Sequence, residues 1–117
     1  MQAKIFFGST EAIKEKFSER KSPFDGEVVS QAPVCNADDA KKALKIAEVA
    51  AKEAKSSTLA QRCNWLLDVA RKLKENKEDI AKTITDEVGK PITFARIEVE
   101  RCIETVTLSA ETMRTMH

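Results

Sequence analysis

Three cysteines, one histidine, an acidic pair and a single interrupting arginine are the residues here from which chemistry could be built. A covalent nucleophile needs a thiol or hydroxyl held beside a base. Cys35, Cys63 and Cys102 lie 28 and 39 residues apart, a spacing that fits neither a disulfide framework nor a zinc site. Cys63 and Cys102 fall on apolar helical faces, where cysteine serves as a small core residue. His117 is the lone histidine and the last residue, so a triad built on it would depend on the chain end. No catalytic residue is therefore assigned. The run Gly89-Lys90-Pro91-Ile92-Thr93 invites comparison with a phosphate-binding loop. That loop would need glycine where Ile84 stands and serine or threonine where Pro91 stands. G-x-G-x-x-G is absent as well, so no residue here is assigned to binding a dinucleotide.

Two placements remain unusual. Asp86 and Glu87 close the third of four expected helices, at the end where the helix dipole favours cations. Either they are a solvated pair offset by Lys90, or they face a bound cation or a distant basic group. Arg101 interrupts a semi-apolar strip on the fourth helix. Either it pairs with Glu98 or Glu104, each three residues away on the same helix, or it contacts an anion.

The elements that would position these residues follow from turn and cap signals. Lys4–Phe7 is a short apolar run ended by Gly8, and Thr10–Arg20 reads as a short helical turn followed by an edge strand. Ser22-Pro23-Phe24-Asp25-Gly26 has turn chemistry, with proline presetting φ and glycine permitting a positive one. Glu27–Val34 reads as a strand. Residues 1–35 are thus expected to form strands and turns, and residues 36–117 a helical region. The first helix starts at Asn36 with Asp39 at its third position. Its expected inner face is Ala40, Ala43, Leu44, Ala47, Ala50, Ala51 and Ala54. Thr58 and Gln61 make a capping box for the second helix, whose face is Leu59, Cys63, Leu66, Ala70 and Leu73. Asn76 and Asp79 start the third, with Ile80, Ile84 and Val88 on one face and Gly89 as its left-handed stop. Pro91 opens the fourth. Its seam is Ile92, Ala95, Val99, Cys102, Val106, Ala110 and Met113, with Phe94, Ile97, Arg101 and Leu108 on a second strip. Two apolar strips call for neighbours on two sides. This pattern runs to His117 without a cap, which gives the expectation of an amino-terminal piece of something longer.

Composition narrows the classes. The 117 residues are 42% apolar and 33% charged, as in a folded domain. With 20 basic and 19 acidic residues the formal charge is only +1, against a nucleic-acid partner. The chain has one Trp and no Tyr, which is poor material for stacking bases. No stretch approaches the roughly 18 uninterrupted apolar residues of a membrane span, and Met1–Thr10 lacks the features of a signal peptide. Unpaired thiols fit a reducing compartment, so the expected location is cytoplasmic.

Five stretches in chain order resemble one enzyme family. Ser22-Pro23-Phe24-Asp25-Gly26-Glu27-Val28-Val29 is similar to the Asn-Pro-x-x-Gly-Glu-Val motif near the start of the aldehyde dehydrogenase superfamily, with serine in place of the usual asparagine. The alanine-rich helix after Asn36-Ala37-Asp38-Asp39 comes next. Gln61-Arg62-Cys63-Asn64-Trp65-Leu66 resembles the family's R-x-x-x-L helix. Thr85-Asp86-Glu87-Val88-Gly89-Lys90-Pro91 resembles its E-x-G-K-P step, and Ala95-Arg96-Ile97-Glu98-Val99 its A-R-x-E-V helix. The similarity covers Ser22 to Met113, and the first twenty residues match poorly.

The resemblance implies a parent enzyme of α/β fold with a Rossmann-like cofactor domain, of which residues 36–117 would be the helical part. It implies oxidation of an aldehyde to an acid with NAD or NADP, through a cysteine nucleophile and a glutamate that activates water. Neither group maps onto this chain, so the 117 residues alone are expected to be inactive. The variant around Glu98–Arg101 is similar to members acting on lactaldehyde or glyceraldehyde 3-phosphate. The resemblance further implies a monovalent-cation site formed by Glu87 and the backbone carbonyl of Lys21. It also implies a substrate tunnel lined by Arg101 and Ile97, and a homo-oligomeric parent. The competing reading is a self-contained helical protein-interaction module, its apolar strips bound to a partner.

Overall fold

Turn chemistry shapes the amino-terminal half. The computed structural model describes residues 1–115, so His117 lies outside the described residues. The chain divides into two compact units, Met1–Ser56 and Ser57–His117.

In the first unit, strands β1 (Ile5–Phe7) and β2 (Thr10–Ala12) pair antiparallel, Ile5 opposite Ala12 and Phe7 opposite Thr10. Gly8 turns the chain at φ +64°, a conformation open to glycine without strain. The helical turn expected from Thr10 is therefore corrected to a strand, because pairing with Ile5–Phe7 satisfies its backbone instead. Strands β3 (Phe17–Lys21) and β4 (Val28–Pro33) form a second antiparallel pair, with an irregularity between Arg20 and Lys21. Their connection is the proline–glycine turn. The Gly26 amide donates to the Ser22 carbonyl at 2.9 Å, and the Asp25 carboxylate accepts from the Glu27 amide at 3.1 Å. Gln2 adds a single parallel bridge to Gln31 of β4.

Helix α1 (Ala37–Ser56) begins as its cap residues require. The Asn36 side chain accepts from the Asp38 and Asp39 amides at 3.0 Å, and the Asp39 carboxylate accepts from the Asn36 amide at 3.0 Å. Lys14 pairs with the same carboxylate, which ties the approach to β3 to the start of α1. The Lys42 ammonium lies 5.3 Å from the Phe7 ring centre, in cation–π range. The expected alanine face of α1 is not an inner face within this unit. None of its residues is fully buried, Ala43 alone is half-buried, and Leu44 is 71% exposed. Helical spacing sets which residues share a face, and only a packed neighbour buries it.

The second unit is three helices: α2 (Leu59–Glu75), α3 (Lys77–Val88) and α4 (Ile92–Thr115), with α2 and α3 both packed on α4. The Thr58 hydroxyl accepts from the Gln61 amide at 3.2 Å, and the Thr58 amide donates to the Gln61 side chain at 2.8 Å, completing the capping box. Asn76 behaves differently from expectation. Its side chain makes no cap bond to α3 and donates to the Lys72 carbonyl at 2.8 Å, closing α2 instead. Gly89 ends α3 at φ 69°, ψ 17°, its amide donating to Thr85 at 2.9 Å.

The core sits where small residues let helices approach. Ala81, Ala95 and Val99 form its centre, flanked by Ile80, Ile84, Ile92 and Ile103. Cys63 is buried between α2 and α4, its thiol donating to the Ala110 carbonyl at 3.2 Å. Two seam assignments change. Cys102 and Val88 are exposed, while Ile103 and Thr107 are the half-buried residues of α4 beside the seam. The molecule described is mainly α, with four helices after short strands, and it contains no doubly wound parallel sheet among the described residues.

Candidate functional site

The α3–α4 junction brings chemically distinct side chains together around open space. Gly89 stops α3 and the Pro91 carbonyl accepts from the Phe94 and Ala95 amides at 2.9 and 3.0 Å, so α4 starts at Ile92, directly after the proline. Lys90 is held between these two signals. Its ammonium reaches forward to the Glu98 carboxylate on the first turns of α4. Sequence spacing placed Lys90 beside Asp86 and Glu87; the structure engages it with Glu98.

That contact decides the status of Arg101. Of its two candidate partners, Glu98 is engaged by Lys90 and Glu104 lies beyond ion-pair distance. Among the described residues the Arg101 guanidinium meets no carboxylate. The Arg101 carbonyl accepts from the Thr105 hydroxyl at 2.8 Å, which fixes the local backbone and leaves the side chain out of the pairing. Arg101 and Ile97, four residues apart on one face, line an open groove of about 530 Å³ with Lys90, Phe94, Glu98, Cys102 and Thr105. The expected second strip is thus a solvent-facing surface, with Phe94 61% and Ile97 52% exposed. Chemically the groove offers apolar walls, a neutralised lysine–glutamate pair and one guanidinium able to make two parallel hydrogen bonds to a carboxylate or phosphate. The sequence places Lys90 beside Asp86 and Glu87 and Phe94 on the second apolar strip, and assigns neither to a site. Lys90 precedes the helix whose face it joins, a placement that helical periodicity does not register.

Glu87 is half-buried in the last turn of α3, and Lys21 is exposed at the end of β3 in the other unit. The Thr85 hydroxyl, two residues before Glu87, is a buried oxygen without a hydrogen-bond partner. Among the described residues no group of three histidine, cysteine or carboxylate side chains is placed to hold a metal ion. Carboxylate pKa shifts occur elsewhere. The Lys14 ammonium and the Asn36 amide hold Asp39 below the usual carboxylate range, and Arg96, bonded to both oxygens of Glu78 at 2.9–3.1 Å, lowers Glu78. These belong to a helix cap and an α3–α4 brace.

The residues present do not fit a dinucleotide. Gly8 and Gly26 turn two hairpins and Gly89 ends a helix, so none lies between a strand and a helix N-terminus, where a pyrophosphate is cradled.

The aldehyde dehydrogenase family profile matches residues 9–117. A lactaldehyde dehydrogenase of Methanocaldococcus jannaschii is 38% identical over 89 residues, which are 76% of this chain and 19% of that protein. The structure superposes on aldehyde dehydrogenase 21 of Physcomitrella patens, solved with its reaction product succinate, at TM-score 0.90 and 31% identity, over 95% of this chain and 23% of that one. The glyceraldehyde-3-phosphate dehydrogenase of Methanocaldococcus jannaschii, solved with NADP, gives TM-score 0.82 and 33% identity over 88% of this chain and 23% of that one. The chain thus spans about a fifth of the length of the relatives it matches. On a profile match across nearly its whole length, this chain belongs to the aldehyde dehydrogenase family.

Proposed function

We propose that the chain is the amino-terminal segment of an NAD(P)-dependent aldehyde dehydrogenase that oxidises a small aldehyde, with lactaldehyde the leading candidate. The observation that carries this reading is the 38% identity to a lactaldehyde dehydrogenase across three quarters of the chain. The parent is then an α/β enzyme with a Rossmann-like cofactor domain, to which residues 36–117 contribute helices. NAD or NADP supplies the hydride acceptor when bound. The neighbour solved with NADP supports that cofactor class, and the residues that hold it lie outside this segment.

Within the segment, the work falls to the α4 groove. Ile97 and Arg101 line the substrate's route, Ile97 covering apolar carbon and Arg101 hydrogen-bonding a hydroxyl, carboxylate or phosphate. Glu87, half-buried at the negative end of α3, contributes a carboxylate to a monovalent-cation site of the parent. The parent is a cytoplasmic homo-oligomer. No helix among the described residues is long and apolar enough to cross a membrane.

The test is a substrate panel on the full-length protein. Aldehyde-dependent formation of NADH or NADPH, with lactaldehyde among the better substrates, supports the reading. Chain 1–117 alone should give none, and a signal from it that one cysteine substitution abolished would overturn the division of labour.

A further inference from the structure

We propose that Lys90 is a positioning residue that keeps Arg101 available to an anionic or hydroxylated ligand by occupying Glu98. Glu98 and Arg101 stand three residues apart on α4, neighbouring positions at which a carboxylate and a guanidinium ordinarily pair. They do not pair here. Lys90, fixed between the glycine stop of α3 and the proline start of α4, engages the Glu98 carboxylate from outside the helix. Three consequences follow for the groove. The glutamate is drawn off the arginine, its charge is cancelled, and the guanidinium becomes the one uncompensated charge among the groove-lining side chains. The groove therefore carries a net charge of one positive unit, from Lys90 and Arg101 against Glu98. Without Lys90 the same walls would hold an internally paired Glu98–Arg101 couple and no net charge. The ligand chemistry that distinguishes these states is a small anion with an apolar body set against Phe94 and Ile97.

This inference rests on the substrate-route reading of α4 for its kinetic consequence, but not for its binding consequence, so two experiments separate them. In the full-length enzyme, Lys90→Ala should lower the preference for a carboxylate-bearing aldehyde over a neutral one at least about threefold, through KM more than kcat. Lys90→Arg should restore it. Lys90→Ala combined with Glu98→Gln should restore it too, since the competing carboxylate is gone. A Lys90→Ala loss that neither change rescues would mark Lys90 as merely structural and overturn the proposal. In chain 1–117, inorganic phosphate followed through the Arg101 side-chain NMR signal reads the same states without turnover. Weaker phosphate binding in Lys90→Ala, restored by Glu98→Gln, upholds the positioning role even if no aldehyde is oxidised. Equal binding in wild type, Lys90→Ala and the double variant overturns it.

Discussion

Replacing Arg101 with alanine separates the roles open to this residue by their magnitudes. An intrahelical pair with Glu98 or Glu104 would be worth about 0.2–0.5 kcal/mol, and the structure forms neither pair. On an exposed stretch of α4 the substitution should therefore change stability by no more than about 0.5 kcal/mol. A guanidinium that binds a substrate carboxylate or phosphate contributes about 1.5–3 kcal/mol, or roughly 10–150-fold in an affinity-like term. The groove is open to solvent in this segment, which places the expectation near the lower end, about tenfold. The assay is steady-state kcat/KM in the full-length enzyme for a carboxylate-bearing aldehyde and a neutral one of similar size, alongside thermal unfolding. The expected outcome is a loss of at least about tenfold on the anionic substrate, little on the neutral one, and a nearly unchanged Tm. Small, equal losses on both would place Arg101 on the surface with no ligand role and remove the reason to favour charged or hydroxylated substrates.

Four further outcomes follow from the same geometry. Val99→Ala removes two carbons from the core beside Ala81 and Ala95, and should lower stability by about 1.5–3 kcal/mol in denaturant unfolding, whereas exposed Val88→Ala should stay within about 0.5 kcal/mol. Asp39 has its pKa lowered by Lys14 and the Asn36 amide, so its stabilising contribution is complete above the ordinary value of 3.8 and is lost as pH falls through the lower folded value. Acid unfolding should therefore begin at higher pH in Lys14→Met than in the wild type, and an unchanged onset would count against the linkage. Glu87→Gln should weaken the dependence of the full-length enzyme's activity and stability on potassium or sodium; indifference to that change would remove the cation assignment. Chain 1–117 should self-associate through Phe94, Ile97, Leu108 and the exposed α1 face, visible as oligomers in light scattering, and a clean monomer at high concentration would contradict this.

What was legible in the sequence was mostly local. Asn36, Thr58 and Gly89 each act within a few residues of themselves, through an amide or a positive φ, and all three appear where their types and spacing place them. The proline–glycine turn is legible for the same reason. Errors arose where a distant partner decides. Thr10–Ala12 is a strand only because Ile5–Phe7 pairs with it. Asn76 serves two helices at once, and its amide chose the carbonyl behind it over the one ahead. The α1 alanines share a face, but burial needs a neighbour, and helical spacing carries no information about one. Cys102 is expected in the seam of α4, and the rotation of α4 against α2 and α3 leaves it exposed and half-buries Ile103 in its stead. In the candidate site, Arg101 stood out as a charge on an apolar strip, and Ile97 entered through the family resemblance. Lys90 did not stand out, because its partner Glu98 lies eight residues on, across a break between helices.

The most direct measurement is aldehyde-dependent reduction of NAD and NADP by the purified full-length protein, with lactaldehyde and a series of small neutral and anionic aldehydes. The expected result is formation of NADH or NADPH together with the matching acid, strongest for small hydroxylated or anionic substrates and absent with chain 1–117. A folded full-length protein that reduced neither cofactor with any aldehyde of the series would contradict the proposed activity.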